Sequence, residues 1–326
     1  MSGESLNASA KKQCLALATR LDAHNGRFPA FGSYTMSLQF HSPGVQRWVP
    51  VPVVDWWLWL RRIRIAASGV VLRPVYAFYQ RRLLRQVRGN APPRHVGLIL
   101  DGNRRWGMLW GLSDPAAVYA LGARKLDAVL DWCGELSIPA VTLFVCSTDN
   151  LNRTPDEVAG ILSAVEMKLR LLAVDPQIHR RQVRVQAIGQ IACLSAGLRS
   201  AIRAAEEATA GYDAMVLTIA VAYGGREEIA DAVRAMLQEA AGRGETLADV
   251  AALVTPDAIA RHLYLGAPEP DLIIRTSGEL RLSGFLLWQS AYSEFYFTDV
   301  LWPALRKIDF LRAVRAFQQR RRRFGR

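Results

Sequence analysis

From residue 95 onward, short β-rich runs alternate with longer amphipathic stretches, and few folds accommodate that rhythm. "HVGLIL" (95–100), "AVTLFVCS" (140–147), "VRVQAIG" (183–189), "AMVLTIAVAY" (214–223), "PDLIIRTSG" (270–278) and "EFYFTD" (294–299) read as strands. "LGARKLDAVLDWCGEL", "TPDEVAGILSAVEMKLRLL", "SAGLRSAIRAAEEAT", "GGREEIADAVRAMLQEA" and "IDFLRAVRAFQQRRRRF" read as helices, and "FLLWQSAY" (285–292) is assigned to a further one. Thr154-Pro155 supplies an N-cap and a first-position proline, with acidic residues in the next turn. Strand-helix alternation predicts an α/β fold: one mostly parallel sheet flanked by helices. With 51% hydrophobic residues in 326, the chain can bury a sizeable core.

The rhythm does not extend to the N-terminus. Residues 1–55 read as an irregular basic extension, residues 56–90 as a helical Trp/Arg-rich segment broken near Pro74, and residues 91–326 as the main α/β domain. Net charge is +12. Residues 1–95 hold 14 of the 41 Lys/Arg and only 3 of the 29 Asp/Glu. A basic arm on a near-neutral body disfavours nucleic-acid binding by the main domain. Asp55, Arg61, Arg62, Arg64 and Arg73 interrupt the apolar runs of 51–79, which argues against a spanning helix. Tryptophans 56, 57 and 59 beside arginines suit an interfacial segment, so peripheral membrane contact through 56–88 stands beside packing on protein. The four cysteines have no CxxC spacing and the five histidines no H-x-x-H pair, which disfavours disulfides and zinc. A cytoplasmic place is expected, with the inner face of the plasma membrane left open by the Trp/Arg segment.

In parallel sheets, ligands bind beyond the carboxyl ends of the strands. The first tip is Asp101-Gly102-Asn103-Arg104-Arg105-Trp106. Gly102 permits close backbone approach, Arg105 offers a phosphate fork, and Asp101 suits a Mg2+ ion completed by phosphates. An ordinary Asp101–Arg salt bridge is the alternative. Asn150, Asn152 and Arg153 follow the second strand. Gly224-Gly225 is an anion nest or a tight packing point. Arg275, Arg281 and Ser283 surround the fifth tip, and Glu294 opens the last strand as a candidate second metal ligand. Two unit charges about 4 Å apart interact by about 4 kcal/mol at an effective dielectric near 20. Arg105, Arg153, Arg275, Arg281 and a metal exceed the needs of one monophosphate and suit two diphosphates. No GxxxxGKS or GxGxxG is present, which disfavours P-loop and dinucleotide chemistry.

"HVGLILDGNRRW", "STDNLNR", "AYGGREEI", "IIRTSGELRLSGFLLWQSAYSEFYFTDVLWP" and "RRRRFG" resemble the cis-prenyltransferases, the undecaprenyl diphosphate synthase family, over residues 92–326. The resemblance implies a homodimer of one α/β domain with a six-stranded parallel sheet, joining isopentenyl diphosphate to an allylic diphosphate with Mg2+. It implies Asp101, Asn103 and Asn150 as catalytic. It assigns substrate binding to Gly102, Arg104, Arg105, Trp106, Arg153, Arg275, Arg281 and Ser283, metal to Asp101 and Glu294, and chain-length control to Val145. Three positions depart from the common pattern. Tyr119 stands where many members have His, with no arginine near Pro115. Leu151 stands where members often have Trp, and Val145 where long-chain members often have Ala. These departures are most similar to actinobacterial short-chain (2Z,6E)-farnesyl diphosphate synthases, with geranyl diphosphate as expected primer. A longer-chain polyprenyl diphosphate synthase is the alternative product class. A noncatalytic partner subunit is disfavoured, since Asp101, Asn103, Arg105, Arg275, Arg281 and Glu294 are all present.

Overall fold

The computed structural model describes residues 74–265 and 268–320. The chain divides into two units, Met1–Arg81 and Arg82–Arg326, and the account that follows concerns the second. The expected membrane-surface segment lies, up to residue 73, outside the described residues. Among the described residues no helix is long and apolar enough to cross a membrane.

Six strands form one sheet: β1 (His95–Ile99), β2 (Ala140–Ser147), β3 (Val183–Ile188), β4 (Met215–Tyr223), β5 (Leu272–Arg275) and β6 (Glu294–Phe297). Their order is β3-β4-β2-β1-β5-β6, and every neighbouring pair is parallel. The all-parallel sheet explains the sequence: strands covered on both faces read as continuous apolar runs. All five residues of β1 are buried. Strand order reverses about β1, with β2, β4 and β3 on one side and β5 and β6 on the other. A crevice at such a reversal is the expected ligand position.

The helices are α1 (described over 74–88), α2 (Asn103–Leu109), α3 (Pro115–Glu135), α4 (Pro155–Leu172), α5 (Pro176–Arg180), α6 (Ala196–Thr209), α7 (Gly225–Gly242), α8 (Leu247–Leu253), α9 (Pro256–Ala260) and α10 (Lys307–Gln319). Asp114 caps α3 by accepting from the amides of Ala116 and Ala117. Leu83 and Val87, in the segment expected to precede the catalytic domain, are buried. Gln318 of α10 donates to the carbonyls of Val87, Asn90 and Ala91.

The expected helix over 285–292 is not formed; the segment is a series of turns. Ser283, Gly284 and Leu286 have φ of 51°, 81° and 45°, which no right-handed helix can include. Phe285 instead stacks on Phe144 of β2 with ring centroids 4.9 Å apart. Four short helices escaped the periodicity reading: α2, α5, α8 and α9, each too brief to show a face, although Asp175, Thr246 and Thr255 cap the last three.

Trp302 locks the floor of the site. It is fully buried, and its Nε1 donates to the Gly122 carbonyl of α3 at 2.8 Å. Trp302→Phe should lower stability by about 1–3 kcal/mol in urea denaturation, because a buried side-chain hydrogen bond and part of a fully buried ring are lost. An unchanged midpoint would show that this bond is dispensable.

Candidate active site

The tip of β1 is shaped by Gly102. Its φ of 104° is left-handed, and a Cβ there would lie 2.8 Å from Leu301 Cδ2, so glycine is required on both counts. The turn is pinned at the Asp101 carbonyl, which accepts from Thr276 Oγ1 at 2.7 Å and from the Trp302 amide at 3.0 Å. The Trp106 amide donates to the Gly102 carbonyl at 2.9 Å. The amides of the preceding turn have no intrahelical acceptor.

Asp101 meets Arg275 across the β1–β5 boundary. Arg275 Nη2 donates to Asp101 Oδ2 at 2.7 Å, Nη1 donates to Ser283 Oγ at 2.9 Å and to the Arg281 carbonyl. Arg275 is 4% exposed, and its buried Nε has no partner among the described residues. Both expected alternatives for Asp101 are therefore compatible: Oδ2 is in a salt bridge, while Oδ1 lies 3.8 Å from Arg105, too far for a hydrogen bond. Partial burial raises the Asp101 pKa, but the hydrogen bonds from Arg275 and Ser277 and the charges of Arg275 and Arg105 outweigh it and lower it. The carboxylate is ionised at neutral pH.

Arg105 and Arg281 sit on the open side. Arg105 Nη2 donates to Ser277 Oγ at 2.5 Å. Glu279 lies 3.8 Å from Arg105 and 2.8 Å from Arg281. Ser277 and Ser283 hold φ of 80° and 51°, a backbone state that costs about 1–3 kcal/mol and is common where a loop serves a site.

A second cluster centres on Glu157, which the sequence reading did not single out. Its Oε1 accepts from Arg153 Nη1 at 2.6 Å and from the Tyr119 hydroxyl at 2.9 Å. Its Oε2 accepts from Arg104 Nη1 at 3.3 Å. Burial pushes the Glu157 pKa up, but the Tyr119 hydrogen bond and the Arg153 charge outweigh it and hold it down. Burial and Glu157 push Tyr119 upward, so it is a neutral donor. Arg104 and Arg153, expected on substrate, are thus fixed by a buried carboxylate. The i,i+4 spacing of Arg153 and Glu157 was the one available signal.

Asn150 and Ser147 bond reciprocally: the Ser147 amide donates to Asn150 Oδ1 and the Asn150 amide to Ser147 Oγ, both at 3.1 Å. Asn103 Nδ2 donates to the Leu100 carbonyl at 3.0 Å. Its Oδ1 is buried without a partner among the described residues. A Cβ on Gly122 would lie 2.2 Å from that oxygen, so the missing side chain makes the room for it.

These groups line a polar cavity of about 460 Å³. Its wall includes Asp101 through Arg105, Asn150, Arg153, Arg275, Arg281 and Ser283. It shares Leu100, Asn103, Tyr119, Val145 and Ile161 with an apolar cavity of about 60 Å³ between α3, α4 and the sheet. Two expected residues are not brought in. Trp106 is absent from the wall and packs on Trp110, with ring centroids 5.6 Å apart. Glu294 is level with Leu272, at the opposite end of β5 from Arg275, and pairs with Arg320 at 2.5 Å. A residue that begins a parallel strand stands at the amino edge of the sheet, about 10 Å from the tips by strand rise. Glu294 therefore does not reach Asp101 within one chain. The Gly224-Gly225 link is a packing point, with the Gly225 amide donating to the Gly284 carbonyl at 2.9 Å.

No group of three or more His, Cys, Asp or Glu among the described residues could hold a metal alone. One ionised carboxylate beside cations suited to phosphate fits a Mg2+ ion that would take its remaining ligands from phosphates and water.

Residues 99–325 match the Prenyltransf family model, described as "Putative undecaprenyl diphosphate synthase". An "Isoprenyl transferase" of Deinococcus radiodurans is 53% identical over 267 residues, 81% of this chain and 96% of that protein. A "(2Z,6E)-farnesyl diphosphate synthase" of Thermobifida fusca is 49% identical over 258 residues, 79% of this chain and 99% of that protein. Among solved structures, lavandulyl diphosphate synthase from Lavandula x intermedia, in complex with dimethylallyl diphosphate, superposes with a TM-score of 0.65 at 31% identity, covering 72% of this chain and 99% of that one.

Asp101 and Glu157 both have lowered pKa values. Their contribution to stability is full above the unfolded carboxylate pKa of about 4 and is lost as pH falls through the lower folded values. A combined Asp101→Asn, Glu157→Gln variant should lose less stability than the wild type between about pH 5 and about pH 2 in denaturant titrations. Parallel acid limbs would contradict the assignment.

Proposed function

The chain belongs to the undecaprenyl diphosphate synthase family, the cis-prenyltransferases, and from that premise we propose that it joins isopentenyl diphosphate to geranyl diphosphate and releases (2Z,6E)-farnesyl diphosphate. The observation that carries the reading is the polar cavity at the strand tips opening into a short apolar one.

The reaction forms a bond between carbon 4 of isopentenyl diphosphate and carbon 1 of the allylic partner. The carbon–oxygen bond to the allylic diphosphate breaks, and its electron pair leaves with that group. A proton departs from carbon 2 of the isopentenyl unit, leaving the new Z double bond. Arg105 and the open amides after Gly102 bind the leaving diphosphate. Arg281, Ser283 and the Arg275 Nε face bind the isopentenyl diphosphate. Asp101 holds Mg2+, which when bound neutralises charge developing on the leaving group. Asn103 Oδ1 steers the departing proton towards the leaving diphosphate, its final acceptor. Asn150, fixed on Ser147, orients the isopentenyl unit.

Product length is a matter of how far the hydrocarbon can go. Burying a CH2 gains about 0.8 kcal/mol, so each five-carbon unit gains about 4 kcal/mol when the wall yields room. Growth continues unless the wall forbids it. From Tyr119 to Leu126, both on the apolar wall, α3 advances about 10 Å. An extended isoprene unit, four chain bonds of about 1.5 Å, spans about 5 Å. Measured along α3, that wall is about two units long, the length of a geranyl chain. The family description names an undecaprenyl-length synthase and the Thermobifida relative a farnesyl-length one, so kinship alone does not select. The small wall residues Gly122, Ala123 and Ala164 favour the rival, a longer-chain synthase. The family's homodimeric assembly is extended to this chain as part of the same proposal.

Purified protein given Mg2+, radiolabelled isopentenyl diphosphate and, separately, dimethylallyl, geranyl and (E,E)-farnesyl diphosphates should yield one fifteen-carbon product from geranyl diphosphate. A ladder of long products would replace the short-chain reading with the long-chain one. Val145→Ala should add at least one isoprene unit to part of the product. Asp101→Ala should abolish turnover with the fold retained, read by circular dichroism; undiminished activity would refute the role of Asp101.

A further inference from the structure

Among the described residues that line the apolar cavity, Lys168 alone carries a charge. Ile161, Ala164, Val165 and Lys168 of α4 are spaced to share one helix face, and all four line the wall. Ile161 also lines the polar cavity, whereas Lys168 does not. Lys168 therefore stands two turns, about 10 Å, from the mouth. On the facing helix α3 the wall residues run from Tyr119 through Gly122 and Ala123 to Leu126. Asp127 follows Leu126, and its Oδ1 accepts from Lys168 Nζ. The pair thus joins α3 to α4 at the far end of the cavity. The Lys168 side chain is 11% exposed and that of Asp127 is 52%. The lysine stem lies along the apolar wall while its ammonium reaches outward to a carboxylate at the surface.

We propose that the Lys168–Asp127 pair is the stopper of the tunnel and sets product length, an inference that rests on the prenyltransferase reading above. Aliphatic side chains such as Val145 can shift to admit a longer chain. An ion pair at the end cannot do so without bringing hydrocarbon against the ammonium or breaking the bridge, and separation of a poorly exposed lysine from its counter-ion is unfavourable. Growth therefore ends where the third isoprene unit would meet Lys168.

The test compares products of the wild type, Lys168→Met and Asp127→Ala with geranyl diphosphate as primer. Methionine keeps the length of the stem and removes the charge. Asp127 lies on the exposed side of α3, so its substitution probes the same pair without altering the core. Lys168→Met should raise the ratio of longer products to the fifteen-carbon product about tenfold or more, and Asp127→Ala should shift it in the same direction by less. The rate of the first condensation should be unchanged in Asp127→Ala. A fifteen-carbon wild-type product with unaltered lengths in both variants would overturn the stopper and leave the short-chain reading intact. A wild-type enzyme that itself makes long chains would overturn the short-chain reading, and the stopper with it.

Discussion

The ion pair between Asp101 and Arg275 ties together the ends of two adjacent strands, and the remainder of the site is arranged around it. Arg275 ends β5 and is buried. Its Nη atoms reach the β1 tip on one side and Ser283 with the Arg281 carbonyl on the other. One side chain thus fixes the Asp101 carboxylate, proposed to hold the metal, and the loop of Arg281 and Ser283, proposed to clamp the second diphosphate. Removal of either partner leaves a poorly solvated charge, which is far more costly than loss of a surface pair.

The other arginines divide by the carboxylate they meet. Arg105 and Arg281 lie near Glu279 and are 46% and 67% exposed. Exposed pairs are worth about 0–1 kcal/mol, whereas a hydrogen bond to a charged group contributes about 1.5–3 kcal/mol. These two guanidinia can exchange Glu279 for a diphosphate. Arg104 and Arg153 instead hold buried Glu157 with Tyr119. Their first effect is to fix the entrance where the polar cavity meets the apolar one, since Tyr119 lines both. The tyrosine at position 119 is accommodated by that carboxylate.

The centre of the sheet was legible because β1, β2, β4 and β5 are buried along nearly their whole length, so apolar content marked them directly. The strand tips were legible for the same reason: an abrupt change from Ile99 to Asp101 in a parallel strand can only be its exit. Glu294 shows the converse. It begins its strand, and the parallel order alone places it at the amino edge, away from Asp101. The Glu157 cluster was hidden because Arg104, Tyr119, Arg153 and Glu157 converge only once α2, α3 and α4 pack. The turns over 285–292 were hidden because the apolar run after Ser283-Gly284 suits a helix, although that Ser-Gly pair is a turn signal and Ser283, Gly284 and Leu286 are left-handed.

The central claim is that the β1 tip binds metal and diphosphate as one unit through Asp101. Calorimetric titration of inorganic diphosphate into the wild type and Asp101→Asn, each with and without Mg2+, tests it most directly. Mg2+ should tighten binding to the wild type by about tenfold or more, with little effect on the variant. An equal effect of Mg2+ on both proteins would contradict it.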